Sequence, residues 1–166
     1  MKIAYIDAQN IHMGIKWLWW TIDWKKFFLY LKNKYEIDQI IMFFWYIPKY
    51  QKLYDFLLKV WYKIVFKEVS IRIDGSTKGN VDIDVAIKAM NDVTDEYLHE
   101  AYLVTTDSDF NSLIYEFRRR KIRWKLIVTH FLHTSKYLRK ASGKAIQPLT
   151  DIRHLIQFEN QKETDN

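Results

Sequence analysis

The sequence contains no cysteine. Disulfides and thiolate zinc sites are therefore excluded, which suits a reducing cytosol. Only four glycines and two prolines occur among 166 residues, leaving little room for long irregular loops. Long hydrophobic runs are missing too. The longest, Ile40 to Ile47, is far short of the roughly 20 residues that a bilayer span needs. The opening Met1-Lys2-Ile3-Ala4-Tyr5-Ile6-Asp7 is a short apolar run ended by an acid, with no small-residue cleavage site. No signal peptide is expected, no membrane partner, and the expected location is the cytoplasm.

What is present is hydrophobic and basic. Apolar residues make up 49% of the chain, with seven Trp, eleven Tyr and ten Phe, too many for a disordered polymer. The length fits one domain able to bury most of its apolar surface. It is placed at residues 1–156, followed by a polar tail, Gln157 to Asn166, expected to fray. Twenty-six Lys and Arg against twenty Asp and Glu give +6, and the excess is clustered. One block holds Arg118, Arg119, Arg120, Lys121, Arg123 and Lys125; a second holds Lys136, Arg139, Lys140 and Lys144. Such blocks favour a polyanionic partner, because neutralising phosphates releases counterions; a solvated helix face is the plainer reading.

Five runs rich in β-branched and aromatic residues predict strands: Lys2–Ile6, Ile40–Tyr46, Lys63–Val69, Ala101–Thr105 and Trp124–Val128. Between them, apolar residues recur at helical spacing over Trp24–Leu31, Tyr50–Trp61, Val81–Met90 and Phe110–Phe117, with Asp23 as a cap for the first. Strands that are nearly continuously apolar and alternate with helices imply a parallel sheet covered on both faces. The polar stretch Asp74 to Asn80 reads as a loop.

In an open parallel sheet, ligands sit beyond the carboxyl ends of the strands, where strand order reverses. Two strands end in acids there: Ile6-Asp7-Ala8-Gln9-Asn10, and Val104-Thr105-Thr106-Asp107-Ser108-Asp109-Phe110. A third acidic element, Asp82-Ile83-Asp84, opens a helix. An Asp after a strand is often just a turn or cap residue, and Asp82 and Asp109 fit that description. Asp82 and Asp84 would point roughly 200° apart on a helix, so only one faces inward, and Asp82 is chosen. Four aspartates at one edge repel one another unless a hard divalent cation joins them, and oxygen-only ligands suit Mg²⁺ or Mn²⁺. Thr106 and Ser108 are placed to donate hydrogen bonds to the acids.

Ile-Asp-Ala-Gln-Asn at 6–10, Lys-Gly-Asn-Val-Asp-Ile-Asp at 78–84 and Thr-Thr-Asp-Ser-Asp-Phe at 105–110 resemble the signature segments of the NYN domain, a PIN-like nuclease family also called DUF88 or LabA-like. Ser135-Lys136-Tyr137-Leu138-Arg139 resembles that family's "Ser, two residues, Leu-Arg" helix. The resemblance implies a three-layer α/β/α sandwich with a central, mainly parallel sheet, Mg²⁺ or Mn²⁺ in an acidic pocket, and endonucleolytic cleavage of RNA. It assigns Asp7, Asp82, Asp107 and Asp109 to the acidic constellation and Asn10 to the Asn after the first strand. With the basic blocks, Lys78, Arg118, Arg119, Arg120, Lys121, Lys136, Arg139 and Lys140 become candidates for gripping RNA along the route to the acids. The family often has another Asp about two turns into the middle helix, where this chain has Lys88; Asp84 could compensate.

Other readings fit less well. Haloacid dehalogenase-type phosphatases need a second Asp where Gln9 stands, and the glycine fingerprint of dinucleotide binders is absent after Ile6. His130 and His133 are three apart and could face one ligand, but with no cysteine nearby ordinary strand-end or interface roles are the favoured reading. The remaining rival is a PIN-like module that binds RNA or protein without cutting. Trp17, Trp19 and Trp20 could stack bases in such a module, although core packing or a homodimer contact is the favoured reading.

Overall fold

The computed structural model describes residues 1–67, 70–71, 77–78 and 81–159. The predicted alternation of strand and helix is realised over most of the described residues. Strand β1 (Lys2–Asp7) leads into α1 (Ala8–Trp17) and α2 (Trp24–Tyr35), and β2 (Gln39–Trp45) into α3 (Gln51–Lys59). Strand β3 (Lys63–Lys67) is followed by a small antiparallel ladder of β4 (Ser70–Ile71) with β5 (Thr77–Lys78), then by α4 (Val81–Thr94). Strands β6 (Glu100–Val104), β7 (Arg123–Val128) and β8 (Ile146–Pro148) are followed by α5 (Asn111–Arg119), α6 (Lys136–Ser142) and α7 (Arg153–Ile156) respectively.

Six of these strands form one parallel sheet in the order β3-β2-β1-β6-β7-β8. Two apolar cores cover its faces, giving the three layers expected. One is built by Ile6, Ile11, Phe27, Leu31, Leu57 and Ile156, the other by Tyr5, Val85, Ala89, Leu103, Phe117 and Leu138. Strands sandwiched this way must be apolar on both sides, which is why β1 and β6 read as continuous rather than alternating hydrophobic runs. Chain order steps outward from β1 to β2 and β3, then returns to place β6 on the other side of β1. Beyond the carboxyl ends of β1 and β6 this reversal leaves the crevice in which α/β sheets bind ligands.

Several boundaries differ from the sequence expectation. Helix α1 is absent from the sequence expectation: Asp7 caps it, and Ala8, Ile11 and Ile15 bury one face, but Gly14 and the exposed Trp17 obscure the periodicity. Gly14 is required by packing, since a Cβ there would lie 2.6 Å from Thr129 Cγ2. Strand β8 and helix α7 were likewise missed. Of the expected loop at 74–80, only 77–78 is described, as strand β5, and the rest lies outside the described residues. Gln157, read as the start of a polar tail, bridges to Ile22, and the Phe158 N–H donates to Thr21 O at 2.8 Å. Residues 160–166 lie outside the described residues. Of the three clustered tryptophans only Trp20 is core; Trp17 is 77% and Trp19 93% exposed.

Candidate metal and phosphate site

Asp7 is the last residue of β1 and the cap of α1: its Oδ1 accepts the Asn10 N–H at 3.1 Å. Asp107 does the same for the 3-10 turn Ser108–Phe110, its Oδ1 accepting the Asp109 N–H at 2.9 Å. The sequence reading set capping against ligand binding as alternatives. Here they coincide, because the hydrogen bond that starts each turn also fixes the carboxylate at the strand end. Asp82, in the first turn of α4, completes the group: oxygens of Asp82, Asp107 and Asp109 all lie within 4.8 Å of one another. Ser108 starts the 3-10 turn between Asp107 and Asp109.

An octahedral Mg²⁺ at about 2.1 Å from each oxygen needs ligand oxygens roughly 3–4 Å apart, so small rotations of these side chains fit the ion. The donors are all oxygen, which suits Mg²⁺ or Mn²⁺. The three are graded from half-buried Asp82 and Asp107 to exposed Asp109, leaving one side open to a substrate. The site can hold a divalent metal; the described residues contain no other group of three such ligands.

Asp7 stands behind the three rather than among them. It is 6% exposed, and its carboxyl is pushed up to about 7. Burial is the main cause; the charges of Asp82 and Asp107 and a hydrogen bond with Asp82 add to it, while the Asn10 N–H opposes it. Without a cation, Asp7 therefore keeps its proton up to about neutral pH, as a buried carboxyl among other carboxylates does.

Two loops are locked together beside the acids. Asn10 Oδ1 accepts both the Thr106 N–H at 2.8 Å and the Thr106 hydroxyl at 2.7 Å. Because Thr106 N–H can only donate, the carboxamide orientation is fixed, and only the Asn10 NH₂ remains for a phosphate or water. The expectation that Thr106 supports the acids does not hold, since its hydroxyl is committed to Asn10. Thr105, to which the sequence reading gave no role, acts differently: its buried Oγ1 accepts the Asp107 N–H at 3.1 Å and so positions the backbone of that acid. The doubled threonine before Asp107 was the signal available for it.

Asp84 points away from the cluster, as the helical geometry required. Lys67 Nζ lies 2.8 Å from its Oδ2, close enough for an ion pair although the geometry falls short of a hydrogen bond. Asp84 therefore offers no substitute ligand to the three acids. Lys88 pairs with buried Asp92 one turn on, and Asp92 also accepts the Tyr5 hydroxyl at 2.8 Å. Burial, then this hydrogen bond, pushes the Tyr5 phenol far above its ordinary range. This network links α4 to β1 and was invisible in the sequence.

The basic blocks separate. Helix α5 leaves the acidic end and runs back to where β7 begins beside β6, so Arg119, Arg120 and Lys121 lie at the opposite edge of the sheet. The expectation that this block flanks the route to the acids does not hold. Arg119 grips Glu116 through Nε at 3.0 Å and Nη2 at 2.7 Å, and Arg120 reaches the same carboxylate at 3.5 Å. Arg118 stacks 5.3 Å over Trp124 and donates to Ala141 O, tying α5 to the end of α6. Arg123 pairs with Glu100 at 3.1 Å where β7 and β6 begin. The second block stays near the acids: α6 is capped by Ser135, packs against the Ser108–Phe110 turn, and exposes Lys136 and Lys140. The Arg139 guanidinium lies 5.2 Å over Phe131, with its Nε buried. The Lys78 backbone pairs in β5, and its side chain lies outside what is described. His130 and His133 stack with ring centroids 4.5 Å apart and join no group of three metal ligands among the described residues.

The architecture matches a solved structure closely. A crystal structure of a protein of unknown function from Vibrio parahaemolyticus superposes with a TM-score of 0.78, covering 95% of this chain and 96% of that one at 20% identity. That likeness establishes the fold. No curated protein matches the chain. The model of the NYN domain matches residues 2–150, nearly the whole chain and every acid of the cluster, so this protein belongs to the NYN domain family.

Proposed function

We propose that this NYN domain is a divalent-metal-dependent endoribonuclease that hydrolyses RNA phosphodiester bonds at its aspartate cluster. The observation that carries the reading is the convergence of Asp82, Asp107 and Asp109 within 4.8 Å at the sheet's switch point, with Asp7 buried behind them. Family membership and this cluster together support a nuclease-like role. A Mg²⁺ or Mn²⁺ ion held there would lower the pKa of a bound water and offset charge building on the phosphate. The protein's own part is to hold and orient. Asp82, Asp107 and Asp109 would ligate, Asp7 would fix Asp82 through its hydrogen bond, and the Asn10 NH₂ would orient a phosphate oxygen or the attacking water. Lys136 and Lys140, with Arg139 behind them, would take flanking phosphates.

The test is cleavage of end-labelled RNA under controlled metal. Activity should vanish in EDTA and return with Mn²⁺. Cleavage that persists without metal would contradict the proposal. One observation favours a second reading, a binding module that does not cut: Lys88 stands where the family often has an acid, and its charge is spent on Asp92. Tight RNA binding with no cleavage under any divalent metal would decide for it.

A further inference from the structure

Helix α1 begins at Asp7 and ends at Trp17, about 15 Å along its axis at 1.5 Å per residue. Beside its second half lies a cavity of about 300 Å³ lined by Ile15, Trp20 and Trp24, with His12 and Lys16 one turn apart at its rim. The lining includes no acidic side chain. Trp20 is 8% exposed and supplies one wall of the cavity. The Arg153 guanidinium lies 5.6 Å over the Trp20 ring and adds positive charge. Trp17 and Trp19, 77% and 93% exposed, neighbour the lining residues Lys16 and Trp20 in the chain. Trp19 is held there by a left-handed backbone, φ 58°, at a helix end that glycine or asparagine usually fills. Large flat rings exposed in the same short segment as an open cavity lined by Lys16 and His12 match a single-stranded nucleic acid, whose bases stack while its phosphates meet the cationic side chains.

We infer that Trp17, Trp19 and the Trp20 cavity form a base-stacking platform that receives unpaired nucleotides of the substrate strand a few positions from the acidic cluster. The inference deepens the nuclease reading and rests on it for the identity of the strand as RNA: the substrate is single-stranded where it crosses α1. A duplex keeps its bases stacked inside and cannot use the platform. A second copy of this chain, itself at +6, is a poorer electrostatic match for the cationic rim.

The test is a tryptophan-fluorescence titration in EDTA, so that binding is read without cleavage. The probes are a short oligoadenylate, an abasic phosphodiester strand of equal length, and the corresponding RNA duplex. Oligoadenylate should quench the emission and bind more tightly than either control. The double variant Trp17→Ala/Trp19→Ala should bind it about tenfold or more weakly, with an unchanged melting temperature because both rings are exposed. Lys16→Ala should weaken binding and reduce the salt slope by about one. No binding of oligoadenylate, equal binding of the abasic strand or the duplex, or unchanged affinity in the double variant would each overturn the inference. A wild-type dimer that the double variant dissolves, with RNA affinity intact, would overturn it in favour of self-association. Cleavage with unaltered binding in the tryptophan variants sinks this inference alone. Quenching without cleavage under any metal leaves it standing and sinks the nuclease.

Discussion

At the scale of single residues, Asp7 carries a clear thermodynamic signature. Its carboxyl titrates at about 7 in the folded chain, against roughly 3.9 when exposed in the unfolded one. Below pH 4 both states hold the proton. Between 4 and 7 the folded state keeps a proton that the unfolded state has released, so stability falls as pH rises, by at most about 1.4 kcal/mol per unit. Above 7 the loss is complete, and it amounts to a few kcal/mol at most. Asp7→Asn keeps a capping oxygen and removes the buried charge. In EDTA its melting temperature should exceed that of wild type at pH 8 and match it near pH 4. Adding Mg²⁺ at pH 8 should raise the wild type more than the variant. Identical pH profiles for the two proteins would mean that Asp7 does not carry the buried charge described here.

At the scale of elements, helix α1 explains what the sequence hid. Helix α4 was legible because Val81, Val85 and Ala89 recur every turn on its buried face. Helix α1 buries Ala8, Ile11 and Ile15 over only ten residues, and Gly14 breaks the pattern for a reason found 115 positions later in Thr129. Gly14→Ala gains helix propensity but forces a methyl to within 2.6 Å of a buried threonine. It should destabilise by about 1–3 kcal/mol, read as a fall of several degrees in melting temperature. Adding Thr129→Ala should recover much of the loss, a coupling that a double-mutant cycle detects. The basic blocks teach a related lesson, because a run of like charges shows no direction until the helix carrying it is placed. Helix α5 takes Arg119 and Arg120 away from the acids and α6 keeps Lys136 and Lys140 near them. Arg119→Ala/Arg120→Ala should leave RNA affinity and its salt slope unchanged. Lys136→Ala/Lys140→Ala should weaken binding and lower the slope by up to two, one per lost phosphate contact. The reverse pattern would place the RNA path on the opposite edge.

At the scale of the molecule, the sheet was readable because burial on both faces writes itself into β1, β2 and β6 as continuous apolar runs. The positions of Asp7 and Asp107 followed from that, since each ends a strand. The contacts that hold the site together did not. The Asn10–Thr106 clamp and the Tyr5–Asp92 bond join residues 96 and 87 positions apart, and no local pattern announces either. Nor did the sequence show that Asp7 stands behind the other acids, which depends on how deeply β1 sits between β2 and β6. The most direct test of the whole account is single-turnover cleavage of saturating single-stranded RNA by wild type and by Asp107→Asn in Mn²⁺. Asp107 both caps its turn and belongs to the group that could hold a metal ion, and Asn preserves the cap while removing a charged ligand. The account predicts cleavage lowered by about two orders of magnitude or more with RNA affinity nearly unchanged. Cleavage by Asp107→Asn at the wild-type rate would contradict it.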